Sequence, residues 1–298
     1  MTNGRTLSTL GLAAAAGFVG APAMAQEMPA PVNTGRVSWE LGASAVSEYW
    51  FRGIAQENQG IIVQPYATVT FGLLSEGNLT LDAYAGTWNS VHTNNPSSDG
   101  EDNYWYESDV FAGVAIGLPH GVTLDLSYIN YYSPAAGSNF SEEIDIGVSY
   151  DDRELMESLG MPFLLNPRAI VAFEINNGAD AGSDEGTYLQ LGIEPSFALT
   201  DSADYPLTLS IPVTAGFSLD NYYEDAAGDD ETFGYLDIGA VVSTPLPFIP
   251  ADYGVWTASA GLHYIALGDS AADLGNDLGV TDGKDDSIYA TFGVSMSY

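Results

Sequence analysis

Residues 207–218 read LTLSIPVTAGFS, with an apolar side chain at every second position and a small or polar residue between. Residues 288–298 (IYATFGVSMSY) repeat the pattern. A period of two places alternate side chains on opposite faces of a β-strand. Both stretches therefore predict strands with one apolar and one polar face.

The same alternation recurs in twelve segments. They lie at about residues 37–50, 61–73, 78–88, 104–117, 121–132, 141–150, 167–176, 186–199, 205–219, 232–244, 253–267 and 286–298. Beyond residue 25 no apolar run approaches the length of about 18 residues that a membrane helix needs. We therefore predict an all-β fold, a 12-stranded antiparallel up-and-down transmembrane β-barrel formed by residues 37–298.

The connections between these segments support a membrane barrel. Long polar loops at residues 89–103, 177–185, 220–231 and 268–285 alternate with short turns, as in outer-membrane barrels. Residues 151–166 are long for a short-turn position and predict one helical turn around Arg153–Leu159. The alternative is a secreted β-sandwich or lipocalin-like barrel with its apolar face inside, whose polar surface should carry many lysines.

Composition excludes several classes of function. Forty acidic and six basic residues among 298 give a formal net charge of -34, which argues against nucleic acid as a partner. Cysteine is absent, so disulfides and thiol catalysis are excluded. Hydrophobic residues make up 46%, too many for a disordered chain.

Residues 1–25 predict a signal peptide. Arg5 precedes an apolar run at residues 10–19, and the small-x-small pattern Ala23-Met24-Ala25 precedes Gln26. We expect cleavage after about Ala25, a periplasmic linker at residues 26–36, and an outer-membrane location in a Gram-negative cell. Outer-membrane lipid is then a partner, and the terminal aromatic Tyr298 is expected to be read by the barrel assembly machinery.

One segment carries a family resemblance. Residues 47–56 (SEYWFRGIAQ), followed by Gln64-Pro65 and by residues 86–90 (GTWNS), resemble the opening of TorF-family porins. In that family an aromatic-x-Phe-Arg-Gly-Ile-x-Gln stretch ends the first strand, and Ala55 stands where it often has Ser. The resemblance covers the first quarter of the chain and implies passive transport without naming a substrate.

Side chains of the polar parity should face the barrel interior. The predicted pore-lining residues are Glu40, Glu48, Arg52, Asp82, Glu107, Asp109, Asp125, Glu143, Asp145, Arg168, Glu174, Glu194 and Asp237. Unpaired charges need water, so this interior is expected to be hydrated. Twelve strands enclose a narrow interior, which Trp88, Trp105, Tyr84, Tyr188 and Tyr235 should narrow further.

These features predict a porin-like channel for passive diffusion of small solutes or cations, with cations preferred because carboxylates dominate its lining. Glu107, Asp109, Glu143 and Asp145 are expected to cluster near the outer end. The alternative is a surface-structural barrel, or one that binds a ligand or divalent cations, with a plugged lumen and no transport.

Two readings of Arg52 stay open: a cation in a constriction, or a structural ion pair that pins the closure of the barrel or packs on Trp50. The three histidines, His92 in a long loop, His120 in a turn and His263 facing inward, show no spacing to a nucleophile. We therefore predict no enzymatic activity, no cofactor and no metal site.

Overall fold

A computed structural model describes residues 33, 35–94, 103–179, 184–200, 202, 206–224 and 230–298. The predicted signal peptide and nearly all of the linker lie outside these residues. None of the helices in the described ranges is long and apolar enough to span a membrane.

Alternating sequence produces strands along almost the whole described chain. The strands are β1 (Val37–Val46), β2 (Tyr49–Phe51), β3 (Ile54–Glu57), β4 (Ile62–Glu76), β5 (Leu79–His92), β6 (Trp105–Gly117), β7 (Val122–Ser133), β8 (Ser138–Tyr150), β9 (Arg168–Asn176), β10 (Thr187–Ile193), β11 (Ser196–Ala198), β12 (Thr208–Ser210), β13 (Val213–Asp220), β14 (Phe233–Pro245), β15 (Val255–Leu267) and β16 (Asp286–Ser297). The helices are α1 (Arg153–Leu159) and α2 (Asp269–Asp277), with 3-10 turns at Pro119–Gly121 and Ala251–Tyr253.

Antiparallel pairing closes these strands into a barrel. Neighbours pair from β1 through β4 to β10, then through β13 to β16, and β16 returns to β1. The short strands β11 and β12 extend the walls of β10 and β13 beyond breaks at Pro195 and Pro212, where proline has no N–H for the ladder. The wall therefore has twelve strands, and the predicted fold class is confirmed.

The two faces of the wall differ as the alternation predicts. Large apolar side chains point outward, among them Phe292, which is 62% exposed, and Val294. The residues between them are small or polar, for example Thr208, Ser210 and Ser218, which are buried inside. An apolar outer face with a polar inner face is the arrangement of transmembrane barrels.

The barrel has two unlike ends. Tyr298, the first residues of β1, and α1 lie at one end, here called the terminal end; α2 lies at the opposite loop end. The predicted helical turn is confirmed as α1. Residues 268–285 were expected to be a polar loop, but they contain α2. The first strand was expected to reach residue 50, yet β1 ends at Val46.

Candidate functional site

A second, two-stranded sheet lies inside the barrel. After β1 the chain bends at Ser47 and Glu48, and β2 and β3 form a hairpin in which Phe51 pairs with Ile54. The hairpin is hydrogen-bonded apart from the barrel sheet. We call residues 49–57 the plug.

The plug turns on Arg52 and Gly53, whose φ angles are 48° and 84°. Positive φ at both central residues is the condition of the two-residue hairpin turn that matches the twist of its strands. A Cβ added at Gly53 would lie 2.7 Å from the Cβ of Tyr235 on β14. Glycine is therefore required both by the backbone and by the close approach to the wall.

Arg52 fixes the tip of the plug. Its Nη1 donates to Glu143 Oε1 at 2.8 Å and its Nη2 to Glu143 Oε2 at 2.6 Å, the bidentate geometry of a strong charge-assisted pair. Nη1 also donates to Tyr222 Oη at 3.0 Å, and the guanidinium lies 4.3 Å from the centre of the Tyr188 ring. Arg52 is 2% exposed.

The loop after β13 holds the same tip. Tyr223 Oη donates to the Arg52 carbonyl at 2.7 Å. Burial raises the pKa of the Tyr222 phenol well above its ordinary value, so Tyr222 stays neutral beside the guanidinium. Of the two readings of Arg52, the contacts are those of a structural ion pair. Its partner is Glu143 on β8, and the pair fixes the plug rather than the closure of β1 on β16.

The flanks of the plug pack against the wall. Tyr49 Oη donates to Glu107 Oε2 at 2.7 Å, and its ring centre lies 5.5 Å from that of Trp88. Phe51 meets Tyr131 edge to face at 5.4 Å. Two apolar clusters result, one containing Tyr49 and Phe51 and the other containing Trp50, Ile54 and Ala55.

Helix α2 covers the plug at the loop end. Gly275 of α2 lies against Ala55 of β3, and the Asn58 side chain donates to the Val280 carbonyl. The helix is joined to the wall, because Gly268 N donates to Gly234 O at 2.6 Å. The plug is therefore enclosed by wall strands, the Tyr222 loop and α2.

Four predicted lining residues surround the plug. Glu107, Asp109, Glu143 and Asp145 are brought together as expected, but they are only 0–2% exposed. The expectation that they line hydrated space near the outer end is wrong, because the plug fills that space. Sequence reasoning missed this because the plug reads as the end of the first strand.

The remaining predicted lining residues lie around this cluster or nearer the terminal end. Glu40, Asp82, Asp125 and Arg168 are partly exposed, whereas Glu174, Glu194 and Asp237 are buried. We call the partly exposed set, Glu40, Asp82, Asp125 and Arg168, the vestibule. Glu48 and Arg52 lie beyond the end of β1, which corrects their expected place on the first strand.

Several of these carboxylates are held by neighbouring side chains. Tyr66 donates to Glu40 at 2.9 Å, and Tyr84 donates to Asp125 at 2.8 Å. Glu48 accepts from Trp50 Nε1 at 2.9 Å. Further contacts include Gly186 N to Glu174 at 2.7 Å, Arg168 Nη1 to Glu194 at 3.7 Å and Tyr289 Oη to Asp237 at 2.8 Å.

Of the five aromatic side chains that were expected to narrow the barrel interior, four lie inside it. Trp88, Tyr84, Tyr188 and Tyr235 are buried inside the barrel. Trp105 is 46% exposed, because it lies at the first residue of β6, next to a register shift between β5 and β6. The expectation that Trp105 narrows the interior is therefore wrong.

The contacts of His92 and His263 could not be predicted from the sequence pattern. His92 ends β5 instead of lying in a loop; its Nε2 is 2.9 Å from Ser90 Oγ, and its Nδ1 is 4.0 Å from Glu57 Oε2 on the plug. Ser90 is fully buried. His263 Nδ1 lies 2.9 Å from Asp237 Oδ1. Within the described residues, no three His, Cys, Asp or Glu side chains are grouped to hold a metal ion.

No curated protein matches the sequence. An outer membrane channel from Pseudomonas putida F1 is 9% identical with a TM-score of 0.47, covering 92% of this chain and 100% of that one. The NanC porin is 11% identical with a TM-score of 0.43, covering 86% of this chain and 98% of that one.

The family model that matches is described as a bacterial protein of unknown function (Gcw_chp). These comparisons do not confirm the resemblance to the TorF family. The match covers residues 33–244, and the chain belongs to the Gcw_chp family.

Proposed function

We propose that the protein is an outer-membrane channel whose passage is closed by the plug and opens to cations and small solutes when the plug moves. The observation that carries this proposal is the Arg52–Glu143 pair, which holds a separate hairpin inside a closed barrel. A pair at the tip of an otherwise independent element can act as a latch.

The construction of the plug supports movement. Among the residues that the structure describes, its two strands pair with each other and not with the wall, so the plug can leave the interior without breaking the ladder of the wall. Moving it would uncover polar groups, among them Glu107, Asp109 and Asp145, which water can then solvate. Groups that are costly to bury are not costly in an open, wet passage.

The charge of the interior supports cation preference. The inward-facing set contains eleven carboxyl groups and two bases, Arg52 and Arg168. Carboxylates in a narrow passage attract cations and repel anions. The resemblance of residues 47–56 to TorF-family porins supports passive transport, without indicating which solute is preferred.

An outer-membrane location is part of the proposal. The predicted signal peptide supports export, the apolar outer face supports insertion in lipid, and Tyr298 supports recognition by the barrel assembly machinery. On this assignment the loop end faces outward and the terminal end faces the periplasm.

A second candidate function is a plugged barrel without transport, either surface-structural or binding a ligand. The near-complete burial of the plug favours it. The two candidates differ in one respect, whether ions pass through the folded protein.

Planar-bilayer recording separates them. Val46 and Ile62 face each other in the ladder between β1 and β4, so a short Gly-Ser turn can replace residues 47–61 and keep that ladder; only edge contacts such as Ser47 N to Ala290 O are lost from the wall. We expect rare conductance steps from the natural protein, frequent larger steps from the plug-less variant, and reversal potentials that show cation preference. Silence from both proteins, with barrel folding verified by heat-modifiable mobility, would favour the second candidate.

A further inference from the structure

A row of carboxyl groups runs along the inner wall beside the plug. On β6 and β8 the row consists of Glu107, Asp109, Glu143 and Asp145, and it ends at Asp125 on β7. Asp109 interacts electrostatically with Glu107 and Glu143, and Asp145 interacts with Glu143 and Asp125. Each carboxyl group therefore has the next one as a neighbour.

The length of the row is comparable to the thickness of the hydrocarbon core of a membrane. Asp125 is opposite Ala115 of β6, so the row follows β6 from Glu107 to the level of Ala115. At a rise of about 3.3 Å per residue this is about 26 Å of strand, close to the thickness of the hydrocarbon core before strand tilt is counted.

Both ends of the row lead toward water. At the terminal end, Asp125 is partly exposed in the vestibule. At the loop end, Glu107 is opposite Ser90 in the ladder. Ser90 Oγ contacts His92 Nε2, and His92 Nδ1 faces Glu57, whose side chain is 15% exposed.

The middle of the row has unused hydrogen-bonding capacity. Within the described residues, both carboxyl oxygens of Asp109 and both of Asp145 lack a partner in good hydrogen-bond geometry, although the two residues are 0% and 2% exposed. Asp109 still interacts with Glu107 and with the Tyr132 backbone, and Asp145 interacts with Glu143. The buried hydroxyl of Ser141, on the same face of β8, also lacks a partner in good geometry among these residues. A buried polar group without a partner is costly, which indicates that these groups serve something mobile.

Charge balance points to the mobile species. Arg52 balances one carboxylate, Glu143, and other titratable groups facing the row are the phenols of Tyr49, Tyr84 and Tyr131 and the carboxyl group of Glu174. Adjacent buried carboxyl groups cannot all be ionised, so protons must be shared among them. Glu107, Asp109, Glu143 and Asp145 are only 0–2% exposed, so little water reaches them, whereas a proton needs only a chain of donors and acceptors.

We infer that this row conducts protons past the plug, so that the closed barrel passes protons while excluding larger ions. The inference rests on the proposed function, because the barrel must span a membrane. A carboxyl group accepts a proton on one oxygen and releases one from the other, and it regains its starting state after reorienting. Protonation states change along the row, and no covalent bond between heavy atoms forms or breaks.

The test uses the full mature chain in liposomes that contain a pH indicator. A potassium diffusion potential set by valinomycin drives proton entry. We expect uptake well above that of empty liposomes, and at least a tenfold loss in Asp109→Asn and in Asp145→Asn, because an amide cannot take part in the relay. Asp109→Glu should restore most of the flux. The matched control is Glu142→Gln, which alters a carboxyl group on the outward parity of β8.

The outcomes distinguish this inference from the proposed function. Full proton flux in both Asn variants, or no flux above empty liposomes in the natural protein while the plug-less variant conducts ions, would overturn the proton path and leave the channel standing. If the plug-less variant is silent to both ions and protons, the channel itself is refuted. If an Asn variant fails to fold, the Glu variant and the other Asn variant still decide the question.

Discussion

Arg52→Ala tests the latch most simply. The substitution removes both hydrogen bonds to Glu143, the bond to Tyr222 and the contact with the Tyr188 ring. All of these contacts exist only while the plug is inside the barrel. In the open state Arg52 and Glu143 would be hydrated, so the substitution destabilises the closed state selectively.

The size of the effect follows from the burial of the pair. Removing one partner of a buried ion pair costs about 3–5 kcal/mol. The lower end applies here, because neighbouring carboxyl groups can share a proton with Glu143. Since about 1.4 kcal/mol is a factor of ten, the ratio of open to closed protein should rise roughly 100-fold.

Single-channel recording measures this ratio as open probability. Arg153→Ala is the control, because Arg153 lies at the terminal end with a side chain that is 45% exposed and 4.0 Å from Asp151. We expect Arg52→Ala to open far more often and Arg153→Ala to behave as the natural protein does. Equal open probability in all three, at equal amounts of folded barrel, would refute the idea that Arg52 latches the plug.

Three further predictions concern the turn, the outer face and the acidic cluster. Gly53→Val should displace the plug, since its positive φ alone costs about 1–3 kcal/mol in a β-branched residue, and protease access to residues 49–57 should increase. Phe292→Arg should lower the free energy of unfolding from liposomes by about 2–4 kcal/mol if it lies near the bilayer midplane, whereas Leu278→Arg, at the exposed residue directly after α2, should change it little. Neutralising Glu107, Asp109, Glu143 and Asp145 in the plug-less variant should shift its reversal potential toward that of a non-selective pore; an unchanged potential would show that these residues do not set selectivity.

Much of the barrel could be predicted because its signal is local. Each strand alternates between lipid and interior, and a period of two is visible in residues 207–218 without knowledge of any neighbour. The helical turn α1 was also predicted, because residues 151–166 are too long for a tight turn. In both cases the environment of a residue follows from its own segment.

The plug could not be predicted in the same way. Tyr49, Trp50 and Phe51 are buried on both faces, so they show no alternation and read as a continuation of β1. The local cue was Arg52-Gly53, which is a less common hairpin turn than Asn-Gly. The burial of Glu107 and Glu143 depends on the plug, which is distant from them in sequence. The spacing of residues along the wall strands therefore predicted that these side chains cluster, but it could not predict that they are shielded from water.

The most direct test of the account locks the plug chemically. Cβ atoms at Ala55 and at a substituted Gly275 would be 3.2 Å apart, so a shift of a few tenths of an ångström would bring them to the separation of about 3.5–4.5 Å found across disulfides, and the natural sequence contains no cysteine. In the Arg52→Ala protein, Ala55→Cys with Gly275→Cys should abolish ion conductance when oxidised and restore it on reduction. Conductance that is the same in the oxidised and reduced protein, with the disulfide verified by mass spectrometry, would contradict a passage closed by the plug.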